Sequence, residues 1–118
     1  MRKLEELLYA ALGPLVAGRA HPVIVPQEAS YPCIRYATVI AQPENSTTGS
    51  SGLVRSLVQV DLYAEEYAAL RTLREQVVTA MQAFQLENIL TDETEAYEPD
   101  PKLFRRVLSY SMAEQEGA

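Results

Sequence analysis

Residues Leu53–Phe84 read LVRSLVQVDLYAEEYAALRTLREQVVTAMQAF, and the hydrophobic period changes midway through them. In the first part Val54, Val58, Val60 and Leu62 alternate with Arg55, Gln59 and Asp61, the two-residue period of a half-buried strand with its charges outward. In residues 65–84, Leu70, Leu73, Val77, Met81 and Phe84 recur at helical spacing, which predicts a helix with one apolar stripe. Glu65 and Glu66 open it, where the helix dipole favours negative charge. A strand running straight into an amphipathic helix sets the class: α and β elements in one small domain.

Upstream, Cys33–Ala41 is a second β-rich run with Ile34, Tyr36, Thr38 and Ile40 on one face, closed by Pro43. The polar tract Glu44–Gly52 has nothing to bury, so a long mobile loop over about 43–52 is expected at the tip of a β-hairpin. Further upstream, Leu4, Leu7, Leu8, Ala11 and Leu12 mark a helix over 2–12, ended by Gly13-Pro14. Residues 15–32 hold Pro22, Pro26 and Pro32 and predict an irregular segment, with Val23–Val25 a candidate short edge strand. Downstream, extended runs over about 87–97 and 102–113 flank a turn at Pro99-Asp100-Pro101. In the last run Phe104, Leu108, Tyr110 and Met112 alternate with Arg105, Val107, Ser109 and Ser111. The order α-β-β-α-β-β predicts an α+β fold. Its sheet has four mainly antiparallel strands, with both helices on one face, in a single domain over 1–118.

The chain has 118 residues, room for one core, and a hydrophobic share of 47% that makes disorder the wrong default. Its net charge of −6 and its scattered basic residues, dense only at Arg105-Arg106, argue against sequence-specific reading of nucleic acid. One cysteine, Cys33, excludes an intrachain disulfide and every multi-cysteine metal site. Glu5 and Glu6 interrupt the apolar run a signal peptide needs, and no stretch approaches the ~20 apolar residues of a membrane span. Neither export nor membrane insertion is expected.

No catalytic, cofactor or metal site is expected either. His21 and Cys33 lack the local motif of a nucleophile and its base. Asp92, Glu93, Glu95, Glu98 and Asp100 alternate between strand faces and miss the offsets of a calcium loop. Gly49-Ser50-Ser51-Gly52 lacks the Lys-Ser/Thr of a phosphate loop, and Asn45-Ser46-Thr47 is a glycosylation sequon with no secretory signal to bring it into use. Arg105 and Arg106 straddle the two faces of the last strand. One must point to the helix-covered side or lie at its rim, held by a carboxylate or kept for an intersubunit contact.

Read in order, these landmarks resemble the tail-completion (tail terminator, head-to-tail joining) proteins of long-tailed phages. The likeness runs from the Leu4–Leu12 helix through Leu15-Val16-Ala17-Gly18-Arg19, His21-Pro22, Pro26-Gln27 and Tyr31-Pro32-Cys33-Ile34-Arg35-Tyr36. It continues through Gly52-Leu53-Val54-Arg55 into Val58–Ala64, then Tyr97-Glu98-Pro99 and Leu103-Phe104-Arg105-Arg106. Met112 stands where such chains tend to carry an aromatic, a difference of packing. The resemblance implies a structural subunit rather than an enzyme. It would form a ring, as a rule a hexamer, that caps the head-proximal end of the tail tube and meets the head connector. Partners would be copies of itself, the tube protein and the connector, in a virion assembled in the bacterial cytoplasm. Asn45, Ser46, Thr47 and Thr48 on the loop, with Arg55, Arg105 and Arg106, are the interface residues expected. The competing expectation is a small cytoplasmic module that binds a ligand or a partner strand on its sheet face.

Overall fold

A computed structural model describes residues 3–46, 49–99 and 102–115. Helix α1 (Lys3–Leu12) runs into a 3-10 turn at Gly13–Val16, followed by strands β1 (Ala20–Pro22), β2 (Cys33–Ser46) and β3 (Gly49–Ala64). Helix α2 (Tyr67–Gln82) and strands β4 (Asn88–Glu98) and β5 (Leu103–Gln115) complete the chain. The sheet has five strands, not four, in the order β1-β2-β3-β5-β4. β1 pairs with β2 in parallel, and every other pairing is antiparallel.

The core forms where the two periods meet. Leu4, Leu8, Leu12 and Val16 come from the N-terminal helical stretch, and Leu70, Leu73, Val77 and Met81 from α2. They close over Ile34, Tyr36, Val58, Val60, Leu62, Leu108, Tyr110 and Met112, all on one sheet face. The other face carries no helix.

Five sequence expectations need correction. The fifth strand, β1, was hidden because three residues ending in proline carry no periodicity; a proline is tolerated there because β1 is an edge. Val23–Val25 lies just beyond it, outside the sheet, with Val23 and Ile24 exposed. The loop expected over 43–52 is strand wherever it is described: Pro43 pairs with Val54, Glu44 with Leu53, Asn45 with Ser50 and Ser46 with Gly49. A polar composition leaves strand and loop equally open, because an antiparallel ribbon needs no apolar residues to complete its backbone hydrogen bonds. Ile40 leaves the face of Ile34 and Tyr36, because a bulge between Thr38 and Ile40 shifts the register and pairs Ile40 with Leu57. Asp61 does point away from the helices, yet it is fully buried.

Candidate assembly surface

Two clusters share one design, a carboxylate held between two guanidiniums. On the open face Asp61 of β3 accepts hydrogen bonds from Arg35 Nη1 and Arg105 Nη2, each at 2.8 Å on Oδ2. Gln59 Nε2 donates to Oδ1 at 3.0 Å, and the Tyr63 hydroxyl approaches Oδ2 at 3.4 Å. The register explains the convergence. Arg35 lies directly across from Asp61, while Arg105 faces Tyr63 and reaches the carboxylate diagonally. The Arg105 guanidinium also sits 5.7 Å from the centre of the Tyr63 ring. Burial alone would lower the Arg105 pKa; its hydrogen bond and charge pairing with Asp61 turn the net shift upward.

On the helix side, at the rim, Glu93 of β4 receives Arg74 Nε and Nη2 at 2.8 Å each, a bidentate pair, and Arg106 Nε at 2.8 Å. Arg106 also binds Glu95, whose carboxylate accepts from the Tyr67 hydroxyl at 3.1 Å. The hydrogen bonds from Arg74 above all, with those from Arg106, outweigh burial and hold the Glu93 carboxyl down at about 2. Arg74 is raised in turn by its hydrogen bond to Glu93.

Tyr67, Arg74 and Val78 lie along the side of α2 that faces β4, so a groove runs between the helix and the edge strand. At one end Phe104 packs against Tyr67 (5.5 Å between ring centres) and Tyr97 (4.8 Å). At the other end the groove opens into a cleft of about 510 Å³ walled by Val78, Met81, Phe84, Leu86 and Leu90. Asn88 frames it, its Nδ2 donating to Met81 O at 3.0 Å and to Leu86 O at 2.9 Å, which fastens the end of α2 to the start of β4.

Among the expected interface residues, Arg55 lies apart from the Arg105-Arg106 pair. Asn45 and Ser46 end β2, and Thr47 and Thr48 lie outside the described residues. Arg55 is exposed on β3, with Nη1 donating to Ser111 Oγ at 3.2 Å. Eight positions along the same strand separate it from Tyr63, the partner of Arg105, or roughly 26 Å at the rise of a strand. Of the arginine pair, Arg106 is the one at the helix-covered rim and Arg105 the one on the open face, and both are held by carboxylates. Sequence reasoning missed Arg35, Arg74 and the burial of Asp61. The available signal was an aspartate between Val60 and Leu62, within the apolar second half of β3.

Cys33 is fully buried, and burial pushes its thiol up to about 11, so it is a neutral thiol near pH 7. His21 pairs with Arg35 on the open face, its Nε2 buried without a hydrogen-bond partner among the described residues. Among those residues no three of His, Cys, Asp or Glu gather as metal ligands would, and no helix is long and apolar enough to cross a membrane.

A family model described as tail completion protein gp17 matches residues 6–114. No curated protein matches the chain.

Proposed function

We propose that this chain, which belongs to the tail completion protein gp17 family, closes the head-proximal end of a phage tail tube as a ring-forming subunit and joins tail to head. Membership makes it a structural component of a phage tail, acting in virion assembly. The ring, its closure as a hexamer and its position at the head end are our reading.

One observation carries that reading: the sheet ends in two unlike edges. On one side is the three-residue β1 with exposed Val23 and Ile24 just beyond it; on the other is the eleven-residue β4 beside the α2 groove. A ring built head to tail needs two different, complementary surfaces on one domain, and opposite sheet edges supply them. We assign Asn45, Ser46 and Arg55, at the far end of β2 and β3, to contacts with the adjoining ring of tube or connector subunits. Arg105 and Arg106 support the interface by fixing the strands that carry it. The acid surplus of −6 suits a channel wall past which DNA slides without adhering.

Removing the gene from a phage that carries it tests the role. Filled heads beside unattached tails of irregular or excessive length are expected in electron micrographs. Normal virions would overturn tail completion as its function.

A further inference from the structure

We propose that Arg71, Arg74 and Arg106 form an oxyanion site that takes a carboxylate from an acidic segment of a partner protein, in exchange for the carboxylate of Glu75. The site goes beyond the ring reading and stands whether or not a ring forms.

Arg71, Arg74, Glu75 and Arg106 line a pocket of about 170 Å³. Helical spacing puts Tyr67, Arg71 and Arg74 on one stripe of α2, at i, i+4 and i+7. Strand alternation sends Arg106 to the same helix side as Leu108. Glu93 fixes two of the three arginines: it accepts from Arg74 Nε and Nη2 and from Arg106 Nε, each at 2.8 Å. Arg106 Nη1 goes to Glu95. Three sets of donors are then left at the pocket. Arg106 Nη2 has no acceptor among the described residues. The Arg71 guanidinium makes neither a hydrogen bond nor an ion pair among them. Arg74 Nη1 is given to Glu75 at 3.1 Å. Two guanidiniums already held in place lose little further freedom when they bind a ligand.

Glu75 is a replaceable acceptor. Its side chain keeps 73% of its surface in water, and its bond is to the adjacent residue of its own helix. An exposed pair of that kind contributes little. Counted with Glu75 and with Glu93 and Glu95 of β4, the cluster is neutral, so its attraction comes from donors that lack acceptors rather than from a basic patch. A neutral cluster on a chain of net charge −6 is a poor hold for a nucleic-acid backbone. A single carboxylate fits it, because two oxygens match the planar fork of a guanidinium, as Arg74 shows with Glu93. The surroundings point to a protein as the source. Exposed Tyr67 lies one turn before Arg71 and packs on Phe104, with exposed Tyr97 against the same ring. Tyrosine and arginine together are the side chains that dominate protein contacts.

The test follows the arginine Nε–Hε resonances of the full chain by NMR at constant ionic strength. The chain is titrated with a capped acidic peptide, acetyl-Gly-Glu-Gly-amide, and separately with inorganic phosphate. The peptide is expected to move Arg71, Arg74 and Arg106 along one saturating curve and to leave Arg35 and Arg105, held by Asp61 on the open face, in place. Arg71→Gln should weaken binding about tenfold. Glu75→Gln should tighten it about threefold by removing the resident competitor. Both positions are exposed, so Tm should hardly change in either variant. A Glu75→Gln variant that binds no tighter would overturn the exchange. Equal drift of all the arginines, or shifts that never saturate, would overturn the site. Stronger binding of phosphate than of the peptide would replace the partner's carboxylate with a free phosphate.

Discussion

The two arginine–carboxylate clusters have the same composition and opposite settings. Asp61 is fully buried on a face that no helix covers, walled in by the arginines that bind it, whereas the Glu93 side chain keeps 21% of its surface at the rim of the helix layer. A carboxylate withdrawn from water depends entirely on its donors, while one at a rim can fall back on solvent. The lesson is that the bare face of the sheet is the less forgiving one. Its three strands β2, β3 and β5 are tied across their width by a charge with no alternative partner.

The comparison breaks first at Asp61. Asp61→Ala leaves Arg35 and Arg105 facing one another without their shared acceptor and is expected to cost on the order of 3 kcal/mol. Thermal unfolding should show it as a drop in Tm of roughly 10 °C; a drop of only a degree or two would mean that water already serves the site.

Glu93→Gln sharpens the contrast, with an expected loss at neutral pH of about 1 kcal/mol. The sign of its pH dependence follows from a folded-state pKa of about 2 against an ordinary 4.5. A depressed carboxylate stabilises the fold above the ordinary value and loses that contribution as pH falls through the folded one. Chemical unfolding between pH 5 and pH 2 should therefore show the parent converging on Glu93→Gln; parallel curves would contradict the shift. Smallest of the three, Arg71→Ala removes an exposed cation from the same side of α2 and should change stability by less than about 0.5 kcal/mol.

Much of this was open to sequence reading, and the failures have physical causes. The period change after Tyr63 correctly separates β3 from α2, because a buried stripe and a buried face leave different spacings in the residues. The arginine pair was correctly assigned to opposite faces, since strand alternation fixes direction. Alternation says nothing about what lies over a face, so Asp61 read as solvated. Nor does it register an extra residue, so the bulge before Ile40 passed unseen. The exposed Ile24 escaped for a different reason. Periodicity locates hydrophobic residues that face a core of their own chain and is silent about one held away from it.

Asn88 donates its side-chain amide to Met81 O in the last turn of α2 and to Leu86 O in the connection that follows, and in doing so turns two elements into a single lever. Fraying of the helix end and lifting of the edge strand become one motion rather than two. A subunit that docks against β4 is thus felt in the last turn of α2. The exchange rates of the amides there, Met81 to Ala83, should slow on assembly.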